Sequence, residues 1–138
     1  MLEVKKINFN EDTDITLLKK FINKNSSSTN TFRYFTKRKF DVLQNHLITN
    51  FYFLNDVLVG YGHLDKEESK VWLGLMVDEE YQGQGIGKKI MNNLLNHYTG
   101  EIHLSVDKSN SHAIELYKKY EFVTIEDNDK HYIMILKK

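Results

Sequence analysis

The chain has no cysteine and no proline among its 138 residues. Without cysteine there is no disulfide framework and no thiol nucleophile for covalent catalysis. Charge of one sign is missing as well: 19 Lys and Arg balance 19 Asp and Glu. That balance argues against a nucleic acid or a membrane surface held by bulk electrostatics. No segment approaches the ~18 consecutive apolar residues of a membrane span, and the start of the chain lacks the basic-then-apolar order of a secretion signal. No repeat and no interdomain linker interrupts the pattern. The length suits one domain, residues 1–138, large enough to bury a core without staples. These readings predict a cytoplasmic protein, monomer or homodimer, with no metal site.

The most informative segment present is Tyr81-Gln82-Gly83-Gln84-Gly85-Ile86-Gly87-Lys88-Lys89. It follows an apolar run, Val71 to Val77, and opens a helical spacing of Ile86, Ile90, Met91, Leu94, Leu95 and Tyr98. A strand, then glycines beside a basic pair, then a helix start suits a phosphorylated ligand. Amides at a helix N-terminus point outward, the macrodipole is positive there, and glycine lets an anion approach the backbone. Two familiar phosphate loops fail. A Walker loop needs glycine where Gln82 stands and Ser or Thr where Lys89 stands. The dinucleotide fingerprint needs glycine where Lys88 or Ile90 stands. The pattern that fits is Gln-x-x-Gly-x-Gly at Gln82, Gly85 and Gly87.

A second segment lies further along. Leu104-Ser105-Val106 reads as a buried strand end, and Ser109-Asn110-Ser111 supplies helix-capping residue types. Ala113, Ile114, Leu116, Tyr117 and Tyr120 then recur at helical spacing before Phe122. Both segments, in this order and spacing, resemble the GCN5-related N-acetyltransferases over about residues 50 to 136. The resemblance implies an α/β (α+β) fold, a mixed and mostly antiparallel sheet of about seven strands flanked by about four helices. Periodicity alone supports only a mixed α/β class. The individual elements read as follows: a strand over Glu3 to Phe9, a helix around Ile15 to Ile22, and a second helix over Phe40, Val42, Leu43, His46 and Leu47. Strands Phe51 to Leu54 and Val57 to Leu64 meet at a two-residue Asn55-Asp56 turn, and Lys66 to Lys70 forms a second turn. Phe122 to Ile125 and His131 to Leu136 make a closing hairpin.

The resemblance also implies an activity: acetyl transfer from acetyl-CoA to a primary amine, directly and in a ternary complex. It places the cofactor against Leu75, Met76, Val77, Gln82, Gly83, Gln84, Gly85, Ile86, Gly87, Lys88, Asn110, Ala113 and Tyr117. In relatives the strand before the phosphate loop splays from its neighbour, so amides near Leu75 and Met76 would polarise the thioester, a donor contributing about 3 kcal/mol. Gly74 in that strand marks either a bulge, a close backbone approach, or simple packing beneath a large side chain. Tyr117 matches the tyrosine that protonates the departing thiolate, although periodicity alone makes it a core residue. Asn110 either caps its helix, holds pantetheine amides, or does both.

The acceptor is less defined. Relatives often carry Glu or His near the start of the strand occupied here by Val71, Trp72 and Leu73, and none of these takes a proton. His63, Asp65, Glu67 and Glu68 are substitutes. Neutralising an amine of pKa about 10.4 at pH 7 costs about 4.6 kcal/mol, against about 1.4 kcal/mol for an amine near pKa 8. A base-poor site therefore suits a weakly basic small-molecule amine such as an amino sugar. Arg33 and Tyr34, in an aromatic and basic stretch, and His63 are the candidate acceptor contacts. The alternatives are a non-catalytic acyl-CoA-binding or regulatory domain, or an enzyme acting on protein N-termini. Three departures from the family pattern stand out: Glu79 in place of Pro, Glu121 in place of Gly, and Asp107 in place of the Arg of some protein-acetylating relatives.

Overall fold

The computed structural model describes residues 2–8, 11–25 and 46–137. Within them one sheet carries seven strands: β1 (Leu2–Lys6), β2 (His46–Leu54), β3 (Val57–Glu67), β4 (Lys70–Val77), β5 (Ile102–Asp107), β6 (Val123–Asp127) and β7 (His131–Leu136). Its order is β1-β2-β3-β4-β5-β7-β6. The described residues form three α-helices, α1 (Asp12–Lys24), α2 (Ile86–Leu95) and α3 (Ser111–Lys119), and a 3-10 turn at Glu79–Tyr81.

The expected second helix falls largely outside the described residues. Its last two members correct the expectation, because His46 and Leu47 open β2 instead. β2 therefore starts five residues before Phe51, the start expected from sequence. β1 covers Leu2–Lys6 and the Ile7 amide extends the pairing, donating to the Thr49 carbonyl at 2.8 Å, whereas Phe9, the expected end of the strand, lies outside the described residues. The Asn55-Asp56 turn forms as expected, with φ of 50° and 66°. Both central residues of a type I′ turn need positive φ, which Asn and Asp tolerate.

Alternation along the strands gives the sheet two different faces. On one, Leu64, Val71, Leu73, Ile102, Leu104, Val106 and Met134 are buried with Ile86, Ile90, Met91 and Leu94 of α2 and Tyr117 of α3. α2 rests directly on β3: a Cβ at Gly60 would lie 2.7 Å from Ile90 Cδ1, so a larger residue there would have to displace the end of the Ile90 side chain. On the other face, Leu18, Phe21 and Ile22 of α1 pack on Phe51, Tyr61 and Met76.

Neighbouring strands are antiparallel except for β4 and β5, which are parallel and pair only at Val71↔Ile102 and Trp72↔His103. Beyond Trp72 the two strands separate, and the sheet opens as a wedge. Gly74 lies inside that opening yet stays in register with His63, so it marks no bulge in the β3–β4 ladder.

Candidate active site

The wedge is closed on one side by the glycine loop. Asp78 begins the turn that leads from β4 into it, its carboxylate accepting the Glu80 amide at 2.9 Å. α1 clamps that turn from the other face. Lys24 Nζ lies 2.8 Å from Asp78 Oδ2, and Asn25 Oδ1 accepts the Glu79 amide at 2.8 Å. Hydrogen bonding to Asp78 raises the Lys24 pKa above its ordinary value. These contacts restrain a turn that has no proline at position 79.

Gly83 and Gly85 then adopt φ of 84° and 80°, and Gly85 is the N-cap of α2, where it supplies no side-chain acceptor. The first backbone bond into the helix runs from the Lys89 amide to the Gly85 carbonyl at 3.3 Å. The amides of Ile86, Gly87 and Lys88 precede it and have no intrahelical acceptor, so they form a cradle for an anion with the positive end of the helix dipole behind them. Gly87 acts differently: a Cβ there would lie 3.1 Å from Leu116 Cδ2, so a larger residue would have to displace the Leu116 side chain by a few tenths of an ångström. Tyr120 fastens the same pair of helices, its hydroxyl lying 3.0 Å from the Lys88 carbonyl and 2.8 Å from Asn92 Oδ1, two acceptors that share its one proton.

A groove of about 570 Å³ runs between the outer end of β4, the glycine loop and the first turns of α3. Of the sequence-derived cofactor residues, Leu75, Met76, Val77, Gln82, Gly83, Gly85, Ile86, Gly87, Lys88, Asn110 and Ala113 line it, whereas Gln84 and Tyr117 do not. Gln82 turns back on its own strand, Nε2 donating to the Val77 carbonyl at 3.3 Å. Asn110 caps α3, accepting the Ala113 amide at 3.2 Å. Glu79, Tyr81, Ser109, His112, Glu115, Leu116 and Lys119 also line the groove and were not anticipated. Four of them share the α3 face that follows from Asn110 as N-cap, so the helical period held the signal.

Tyr117 sits beneath the groove in the core, 5% exposed, its ring 5.9 Å from that of Phe122. Burial pushes its pKa well above the ordinary phenol value, so the hydroxyl keeps its proton. His63 lies on the opposite, α1 side of the sheet; its Nδ1 is 2.8 Å from the Tyr61 hydroxyl and its ring centroid 4.4 Å from that of His46. Arg33 and Tyr34 lie outside the described residues. Glu121 takes a left-handed φ of 71° immediately after α3, as expected of a position where relatives carry glycine.

The model of the acetyltransferase (GNAT) family matches residues 15–122. The chain belongs to that family. Spermine/spermidine N(1)-acetyltransferase of Bacillus subtilis (strain 168) is 39% identical over 64 residues, 42% of this chain and 42% of that protein. The matched segment thus spans under half of the relative's length. A GNAT acetyltransferase from Streptococcus pneumoniae superposes with a TM-score of 0.76 at 20% identity, covering 99% of each chain. Spermidine N-acetyltransferase from Vibrio cholerae, solved with CoA and spermine, gives 0.75 at 17% identity, covering 99% of this chain and 95% of that one. These two likenesses establish the fold. Among the described residues no helix is long and apolar enough to cross a membrane.

Proposed function

We propose that this acetyltransferase moves an acetyl group from acetyl-CoA to a primary amine of a small polyamine, by direct transfer in a ternary complex. The observation that carries the cofactor assignment is the cradle of Ile86, Gly87 and Lys88 amides, uncapped at Gly85 and opening on a groove beside the splayed β4. Bound there, acetyl-CoA supplies an activated thioester. The loop amides hold its pyrophosphate, with Lys88 at the groove wall as a mobile counter-charge. Leu75, Met76 and Val77 line the groove where β4 has left β5, which supports a reading in which that backbone orients the pantetheine arm and polarises the carbonyl.

Tyr117 is the proton donor in this reading. A phenol whose pKa is raised by burial stays protonated throughout the physiological range and gives its proton only as negative charge develops on the departing sulfur. No cysteine exists to carry the acetyl group, which favours direct transfer. The acceptor class rests on the 39% identity to a spermine/spermidine acetyltransferase, an observation that favours a polyamine over the amino sugar suggested by a base-poor sequence.

Replacing Tyr117 by Phe tests the reading. An enzyme using Tyr117 loses about a hundredfold in turnover while keeping its affinity for acetyl-CoA. A non-catalytic acyl-CoA-binding domain shows no thiol release with either protein. Comparing spermidine, glucosamine and a short peptide as acceptors decides the class, and turnover of glucosamine or the peptide alone contradicts the polyamine assignment.

A further inference from the structure

The sheet face opposite the helices α2 and α3 carries a line of polar and aromatic side chains across the start of the wedge. In register from strand to strand these are His46, Asp65, Trp72 and His103. His103 is the last residue of β5 to pair with β4 before the strands part. Its neighbours in sequence, Ile102 and Leu104, are buried against α2 and α3, so alternation turns His103 and Ser105 to the other face, the one on which the His103 ring meets Trp72. Gly74 has no side chain to block that side of the opening.

The imidazole is held with care. It is 5% exposed, its ring centroid is 5.2 Å from that of Trp72, and its Nε2 lies 3.7 Å from Glu101 Oε1. With the Nε2 hydrogen toward that carboxylate, the lone pair is on Nδ1, a buried atom that has no hydrogen-bond partner. A buried polar atom without a partner calls for an explanation, commonly a water or a function. Ser105 is the next residue on the same face, about 6.6 Å along the strand, and its hydroxyl supplies a second polar partner for a water. The described groups around the imidazole are Glu101 just before β5, Ser105 on β5, Trp72 and Lys70 on β4, Asp65 beyond Trp72 on β3, and Ile135 opposite on β7.

We propose that His103, acting through water held between its Nδ1 and Ser105, takes the proton that the acceptor ammonium must lose before it can attack. This rests on the acetyltransferase reading and supplies the base that Val71, Trp72 and Leu73 cannot. The amine gives one proton to His103 and its lone pair forms the C–N bond as the thioester C–S bond breaks. Its second proton goes to solvent. The Tyr117 hydroxyl protonates the departing sulfur and regains a proton from solvent, and His103 releases its own, so one proton is produced per turnover. Burial, opposed by Glu101 and reinforced by Lys70, keeps the imidazole neutral and ready at pH 7.

The test is the pH profile of kcat with spermidine for the wild type, His103→Gln, Ser105→Ala and Glu101→Gln, with acetyl-CoA affinity and thermal stability measured alongside. In the wild type kcat falls as pH drops through the His103 pKa, below about 6.5. His103→Gln is expected to lose tenfold or more at pH 7, to lose that acid limb, and to bind acetyl-CoA as before; Ser105→Ala loses less. Glu101→Gln, a surface change, is expected to move the limb to lower pH because the carboxylate favours the imidazolium. That variant decides the matter should His103→Gln fold poorly. A His103→Gln profile that superimposes on the wild type, or a limb that Glu101→Gln leaves in place, overturns the proposal. A wild type that turns over no amine overturns the acetyltransferase reading instead, and this proposal with it.

Discussion

Asn25 Oδ1, at the end of α1, accepts the amide hydrogen of Glu79 at 2.8 Å, although the two residues lie 54 positions apart. The bond joins the helix on one face of the sheet to the turn that enters the groove on the other. Asn25→Ala leaves the Glu79 amide without this acceptor and is expected to cost about 1–2 kcal/mol. Because the turn positions the glycine loop, acetyl-CoA affinity should fall severalfold as well. Thermal unfolding and calorimetric titration read the two effects. Loss of stability with unchanged affinity would show that the clamp supports the fold alone.

Glu121 occupies a left-handed conformation with φ of 71°. A residue with a Cβ is strained there by about 1–2 kcal/mol, partly offset in a Glu121→Gly variant by the greater freedom of glycine when unfolded. Glu121→Gly is therefore expected to raise the unfolding free energy by about 0.5–1 kcal/mol, measured from the denaturation midpoint. A lower midpoint would mean that the strain is absorbed by neighbouring geometry.

Gly85 combines φ of 80° with open space on the side where a Cβ would sit. Gly85→Ala should therefore act through backbone strain, about 1–2 kcal/mol, and not through a clash. The loop relaxes by turning its amides away from the anion, so acetyl-CoA binding should weaken by about fivefold or more. Unchanged affinity in a calorimetric titration would contradict the cradle.

The glycine loop was legible in the sequence because backbone geometry dictates residue type there: positive φ at Gly83 and Gly85, close approach at Gly87. The Asn55-Asp56 turn was legible for the same reason. His46 and Leu47 were misread because a few residues at helical spacing do not distinguish a helix end from a strand whose partner, β3, lies later in the chain. His103 was not singled out because Ile-His-Leu-Ser-Val-Asp alone does not say which strand its polar residues lie beside. Only the pairing of β4 with β5, and its end at Trp72, puts that face beside the opening of the wedge.

Burial lowers the His103 pKa in the folded protein, so folding disfavours the imidazolium. The unfolded chain then binds more protons between the folded value and about 6.5, and stability should fall as pH drops through that window. At higher pH this contribution is fully present. His103→Gln should remove this dependence, so the difference in unfolding free energy between wild type and variant should shift with pH below about 6.5 and stay constant above it. A constant difference throughout would place His103 in a solvated setting.

The central claim is acetyl transfer from this groove to an amine. The most direct measurement mixes the protein with acetyl-CoA and spermidine and follows free thiol together with the mass of the amine product. The account predicts thiol release equal to the amount of N-acetylspermidine formed, with Tyr117→Phe slower by about a hundredfold. Acetyl-CoA that binds without any thiol release, or thiol release without an acetylated amine, would contradict it.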